Sequence, residues 1–284
     1  MQFDYATAFS RNIGWLTEAE QQTLRGKRVA IAGMGGVGGF HLLTLARLGI
    51  EKFTIADLDT FELANFNRQA GANMNSLGLA KVEVLAAMAR DINPECDLAI
   101  YPQGVNESNL QDFFRDVDLY VDGLDFFAFD SRERVFAYCA QNNIPAVTVA
   151  PLGISGALLN FLPGGMSFED YFQLAGQSEL EKAVRFLVGL APALLHRHYL
   201  ADKSRVDLRA HKGPSTIMAC QLCAGIAASE ALKILLQRGR IWAAPHGIQF
   251  DGYRNRLAHT WRPGGNRNLL NRLAIAIARH QLAV

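Results

Sequence analysis

The sequence predicts an α/β fold: a doubly wound, mostly parallel sheet with closing antiparallel strands and a helical insert. Three observations carry the prediction. An apolar run of strand length, Val29 to Ala32, meets a cluster of glycines and then a helical pattern carrying Phe40, Leu42, Leu43, Leu45 and Leu48. That is the order strand, tight turn, helix. From Lys27 to about Val149, strand-like runs at 29–32, 53–56, 97–101, 118–121 and 145–149 alternate with helical stretches, the alternation that parallel strands joined by crossover helices impose on a chain. Beyond them "GALLNFLP" reads as a further strand, and two more, "GIQFD" and "RLAHTW", close the domain.

With 284 residues and 50% apolar composition, the chain is long enough for one large α/β domain with its own core or for a domain and a half, and a single domain over 1–284 is expected. The first element, "LTEAEQQTL", reads as a short helix with Thr17 as N-cap and Glu20 three residues on. A nucleotide-binding core then spans 27–162, with "LAKVEVLAAMARDI" and "SRERVFAYCAQNN" among its helices. Residues 163–214 form a helical insert and a crossover loop: 167–199 read as helical, through "SELEKAVRFLVGLAPALLHRHYL", and 200–214 are charged and short of apolar residues. Too little apolar surface is present there to fix the loop by packing, which predicts a mobile segment over the site. "STIMACQLCAGIAASEALKILL" reads as a long apolar helix and completes, with the two last strands, a closing part over 215–262. Residues 263–284 are left as a C-terminal tail. There is no internal repeat and no low-complexity tract.

Composition narrows the function. A formal net charge of +1, with 28 basic residues scattered along the chain, gives no electrostatic footprint for nucleic acid. Four cysteines, and a start ("MQFDYATAFSRNIGW") without the pattern of a secretory signal, point to a reducing cytoplasm. No stretch approaches a membrane span free of charges or breakers.

Gly33, Gly35 and Gly38, with Gly36 between them, fit G-x-G-x-x-G. Residues without Cβ stand where backbone must turn and approach a phosphate, and the following helix points its unpaired N–H groups at the anion. The strand 53–56 ends in Asp57, placed to accept hydrogen bonds from a ribose. Up to this point the adenine nucleotide is either a dinucleotide or ATP. The next block, "DLDTFELANFNRQAGANMNSLGLAKVEVL", separates them. Asn65, Arg68 and Lys81 follow Asp57 and Asp59 within one short loop and the start of one helix, and a site that cleaves ATP must neutralise charge along three phosphates. A later strand end, "LYVDGLD", delivers Asp122 and Asp125 to the carboxyl edge of the sheet, where an acid can hold magnesium against phosphates.

At these residues the chain resembles the MoeB/ThiF family, bacterial relatives of ubiquitin-activating enzymes. The family's ordered pattern is a glycine loop, D-x-D, N-x-x-R, G-x-x-K and D-x-x-D. Here it reads Gly33/Gly35/Gly36/Gly38, Asp57/Asp59, Asn65/Arg68, Gly78/Lys81 and Asp122/Asp125. "FSRNIG" matches the family's N-terminal stretch, and "SEALKILL" with "QFDGYRNRLAHTW" resembles its closing helix and strands, so the likeness covers about residues 9–162 and 215–262. The resemblance implies a Rossmann-like fold and an ATP-dependent adenylyltransferase that activates a carboxylate. The acyl substrate is not visible in the sequence itself; the resemblance implies the C-terminus of a ubiquitin-like or sulfur-carrier protein, or a small acid. It also implies roles: Asp57 on the ribose, Asn65, Arg68 and Lys81 on the phosphates, Asp125 on Mg2+, and Arg11 entering the ATP site of the neighbouring subunit of a homodimer.

The chain departs from the pattern in two places. Where many members hold zinc with two C-x-x-C pairs, this sequence reads "FLPGGMSFEDYF" and "WRPGGNRN", so no zinc is expected. Cys220 and Cys223 form a lone C-x-x-C inside an apolar helix and read as buried structural thiols, while Cys96 and Cys139 read as plain core or surface residues. The position after Asp125, commonly Asn in the family, is Phe126. No cysteine nucleophile stands in the insert, which argues against a thioester relay. Three rival readings are a branch that activates and cyclises a carboxylate on a transfer-RNA base, a nicotinamide dehydrogenase, and a non-catalytic nucleotide-binding scaffold.

Overall fold

The computed structural model describes residues 2–281, and the chain divides into two compact units: the N-terminal part up to Leu124 with Ala224–Ile241, and Asp125–Cys223 with the residues from Trp242 onward. The first unit runs α1 (Tyr5–Ala8), α2 (Glu18–Gly26), β1 (Arg28–Ala32), α3 (Gly38–Arg47), β2 (Lys52–Ala56), α4 (Lys81–Ile92), β3 (Asp97–Tyr101), α5 (Leu110–Phe113) and β4 (Leu119–Asp122). Helix α2 starts where the sequence places it. The Thr17 hydroxyl accepts from Glu20 N at 3.1 Å and the Glu20 carboxylate returns to Thr17 N at 2.8 Å, a reciprocal cap on two otherwise unpaired donors.

Strands β3, β2, β1 and β4 lie side by side in that order and all pair parallel. Their register puts Ala32 of β1 beside Ala56 of β2 and Asp122 of β4, so three strands end together at one carboxyl edge. Val29, Ala30, Ile31, Phe53, Ile55, Leu119, Tyr120 and Val121 are buried on both faces. This explains why these runs are continuously apolar and do not alternate.

The second unit contains α6 (Phe129–Gln141), β5 (Ala146–Pro151), β6 (Ser155–Phe161), α7 (Phe168–Phe172), α8 (Glu179–Leu190), β7 (His246–Asp251), β8 (Arg256–Trp261) and α10 (Leu269–Gln281). Helix α9 (Ile217–Leu235) supplies residues to both units. Strands β5, β6, β7 and β8 pair antiparallel in sequence order; β7 and β8 are the two closing strands that the sequence predicts. Phe136, Phe161, Phe168, Tyr171, Phe172 and Phe186 meet in ring contacts of this unit's core.

Three findings differ from the sequence reading. The stretch 167–199 is not one run of helix. Gln173 turns left-handed (φ 57) and ends α7, Ser178 caps α8, and α8 stops at Leu190 because Ala191 precedes Pro192 and is held out of helical geometry. Within 263–281, where the sequence leaves a C-terminal tail, helix α10 forms and packs Ile275 against Val184 and Val188 of α8. Finally, α9 is long and apolar enough, by length and composition, to cross a membrane, and 44% of its most apolar window is buried. Its buried residues Ala219, Cys220, Cys223, Ala227 and Ala231 recur at helical spacing, as on the inward stripe of a core helix.

Candidate functional site

The turn after β1 is held together by glycines in backbone contact. Gly33 adopts φ +88, and a Cβ there would stand 2.2 Å from the Gly123 carbonyl oxygen. A Cβ on Gly38 would stand 1.7 Å from the carbonyl oxygen of Gly33, and one on Gly123 2.4 Å from the same atom. Three backbones thus meet where no side chain fits. Gly35 is different: a Cβ would touch nothing closer than the Gln69 amide at 3.7 Å. Gly36 lies in the turn itself. Helix α3 opens at Gly38 behind Val37, and no side chain caps it. Its first N–H groups and the positive end of its dipole therefore suit an anion.

Asp57, at the end of β2, accepts from Met34 N at 2.5 Å and from Asp59 N at 2.8 Å, tying the strand end to the glycine turn. Burial raises its pKa, and those two hydrogen bonds oppose the shift. Lys81 opens α4 with its side chain buried, and its Nζ lies 3.0 Å from the exposed Asp59 carboxylate. The backbone repeats the link, Lys81 N donating to Asp59 O at 3.0 Å. A buried ammonium needs such a partner. Asn65 is buried and spends its side-chain oxygen on Glu62 N at 2.9 Å, closing the short turn 63–65. Arg68 is half-exposed, with its guanidinium on Ala64 O (3.1 Å) and Asn67 Oδ1 (2.9 Å). Gly78, at φ +81, donates to Phe61 O at 2.9 Å and so sets the approach to α4.

Asp122 is buried at the end of β4 and accepts from Tyr120 Oη and Leu124 N, both at 3.2 Å. Asp125 is exposed at the head of the second unit, with Oδ1 accepting from Phe127 N at 3.0 Å. Arg11 is exposed in a short helical turn. The structure thus brings together the glycine turn, Asp57, Asp59 and Lys81. Asn65 and Arg68 are held by their own loop.

Three residues of this region escape sequence reading. Gly123 locks the turn, and its signal was the glycine inside "VDGLD". Gln69 is buried beside Gly35 with Oε1 unpartnered, and it follows directly on Arg68 in "NFNRQ". His41, wholly buried in α3 with both ring nitrogens unpartnered, is hidden in an apolar helical pattern.

All four cysteines are buried and free. Burial pushes the Cys96 thiol up to about 11 and Cys223 well above the usual thiol range, so neither offers a thiolate at neutral pH. Among the described residues, no group of three or more His, Cys, Asp or Glu side chains stands ready to hold a metal ion.

A family model described as the ThiF family matches residues 9–269. The chain belongs to the ThiF family. This ThiF-family chain is 35% identical over 137 residues to the tRNA threonylcarbamoyladenosine dehydratase of Escherichia coli K12, covering 48% of the chain and 50% of that relative. It is 29% identical over 143 residues to the sulfur carrier protein ThiS adenylyltransferase of the same organism, covering 50% and 56%. The chain thus spans about half the length of the curated relatives it matches. Among solved structures, the crystal structure of PaaA superimposes with a TM-score of 0.68 at 16% identity, over 92% of this chain and 74% of the other. That likeness shows the fold.

Proposed function

We propose that this ThiF-family protein is an ATP-dependent adenylyltransferase that activates a carboxylate as its acyl-adenylate. The observation that carries the reading is the buried Lys81 ammonium paired to Asp59, in the same unit as an uncapped helix N-terminus behind a backbone-tight glycine turn. The turn fits a nucleotide: Gly35 leaves room at the loop and α3 has no side-chain cap to displace. In the reaction the carboxylate attacks the α-phosphorus of ATP in line and pyrophosphate leaves. No protein base is required, because the carboxylate is already ionised, and catalysis rests on positioning and on neutralising charge.

In this scheme the N–H groups of the glycine turn approach a phosphate, and Asp57 holds the ribose with the acceptor capacity left after its two backbone bonds. Asn65, Arg68 and Lys81 neutralise the phosphates, which requires Arg68 to exchange its local carbonyl contacts for the nucleotide. Asp125 supplies a hard oxygen donor for Mg2+, the ion that offsets phosphate charge when bound. Asp122 supports the strand end from which Asp125 follows. Arg11 completes the charge set of a neighbouring subunit in a homodimer. The substrate is the C-terminus of a ubiquitin-like or sulfur-carrier protein, or a small acid, supported by the name of the ThiS relative. A second reading has the dehydratase relative in its favour: the carboxylate is carried by a modified transfer-RNA base, and the same adenylation precedes cyclisation.

The test is exchange of labelled pyrophosphate into ATP with carrier proteins ending in Gly-Gly, small acids, or transfer RNA supplied in turn. Arg68→Ala, Lys81→Ala and Asp125→Ala should each lower exchange by about 10²-fold or more, the cost of removing preorganised charge from a transition state. Unchanged exchange in all three overturns the site. No exchange with any acceptor favours a nucleotide-binding scaffold.

A further inference from the structure

We infer that Arg132 is the positioning residue for Asp125, and that the insert helix α8 acts on the site through it. The inference rests on the reading of Asp125 as a magnesium ligand, and all of its geometry lies within the second unit. Arg132 sits on α6 and is only 2% exposed. A guanidinium so deeply buried must place its donors on acceptors. Arg132 spends two of them on consecutive carbonyls of the turn that carries Asp125: Nη2 donates to Asp125 O at 2.9 Å and Nη1 to Phe126 O at 3.2 Å. The turn is closed from within by Ala128 N donating to Asp125 O at 3.0 Å, and the Asp125 carboxylate is aimed by its bond from Phe127 N. The carboxylate is thus oriented by its turn, and the turn is pinned by Arg132.

Helix α8 braces the arginine. Its Phe186 ring lies 4.7 Å beneath the Arg132 guanidinium and packs on Phe126 at 5.2 Å and Phe129 at 5.7 Å. One turn earlier, Lys182 reaches Asp130 at 3.1 Å and Glu133 at 2.9 Å, the α6 residues that flank Arg132. Cation, ring and ion pairs hold α6 to α8 on both sides of the arginine. Phe126, the departure from the family's common Asn, is part of this brace: its carbonyl accepts from Arg132 and its ring meets Phe186. A lysine cannot reproduce the arrangement, since one ammonium does not bond two adjacent carbonyls in a plane and stack on a ring at once.

The experiment measures ATP binding by calorimetry at a series of Mg2+ concentrations. It compares wild type, Arg132→Gln, Arg132→Lys, Asp125→Asn and the double variant Arg132→Gln/Asp125→Asn. Removing a group that orients a metal ligand costs about 10–100-fold in metal affinity. Arg132→Gln should therefore need at least about tenfold more Mg2+ for half-maximal binding, with ATP affinity in the absence of Mg2+ unchanged. Asp125→Asn should shift in the same direction, and the double variant should add nothing, because both changes act through one carboxylate. Should Arg132→Gln fail to fold, Arg132→Lys, which keeps the charge and stem, makes the same distinction. Wild-type magnesium dependence in the folded arginine variant, or additive shifts in the double variant, overturns the inference and leaves the adenylation reading standing. Wild-type protein that binds ATP without regard to Mg2+, or not at all, overturns the reading of Asp125 and the inference with it.

Discussion

His41 faces no solvent and no hydrogen-bond partner, and burial holds its imidazole at about 4 against the opposing field of Asp122. His196 is held at about 4 as well, mainly by burial, with Nδ1 3.3 Å from Gln249 Nε2. Both therefore stay neutral in the folded chain where the unfolded chain protonates, below an ordinary value of 6.5. Because the folded pKa is lowered, the stability tied to each group is complete above pH 6.5 and is lost as pH falls toward 4. Each contributes a slope of about 1.4 kcal/mol per pH unit inside that window. Denaturant unfolding at stepped pH should show the loss, and His41→Met should flatten the slope by about one such increment. An unchanged slope in the variant would mean that His41 finds a proton or a partner in the folded state. Neither histidine could be singled out in sequence, because nothing local tells a desolvated imidazole from a solvated one.

At the scale of elements, α10 shows how a helix escapes a reading by periodicity. Its inward residues Ala274, Ile275 and Ala278 meet α8, while Leu269, Leu270, Leu273 and Ile277 are exposed on the outer side. The apolar stripe legible in the sequence, Leu269, Leu273 and Ile277 with Leu270 beside them, is the exposed one, so periodicity does not mark the face that packs. The packing makes a paired prediction. Ile275→Ala, at 5% exposure against Val184 and Val188, should cost about 2–4 kcal/mol in chemical denaturation. Ile277→Ala, two residues on and 42% exposed, should cost less than about 0.5 kcal/mol. Equal costs would show that α10 is not held by that face. The opposite case is α2, whose cap Thr17–Glu20 is wholly local in sequence and is found as expected.

At the scale of the whole molecule, the homodimer proposal stands on Arg11. The residue is exposed in the short helical turn Ser10–Asn12. An arginine that enters a neighbour's phosphate site is worth about 10³-fold or more in other phosphoryl-transfer enzymes. Chains carrying Arg11→Ala and chains carrying Arg68→Ala should each be inactive alone. Mixed with free subunit exchange, about half of the dimers combine the two, and each such dimer holds one site with neither defect. Pyrophosphate exchange should then return to about a quarter of the wild-type rate, given independent sites. Demonstrated subunit exchange with no returning activity would place Arg11 within its own site or outside the reaction.

The sequence by itself determined the family, the parallel strands, the closing hairpin and the residues of the ordered motif. Each of these is written in local form, as an apolar run, a glycine where backbone must pass close, or a charge at a strand end. Tertiary structure alone decided what those residues touch. Gly123 became part of the glycine turn because parallel register sets β4 beside β1. Lys81 became a buried cation because the loop 57–80 folds back and returns the head of α4 to Asp59. Arg132 holds the Asp125 turn as a buried cation, with Phe186 of α8, about fifty residues on, beneath its guanidinium. Contacts of that kind join residues whose separation along the chain carries no pattern, and burial, which turns a surface charge into a fixed one, exists only when the chain has closed around it.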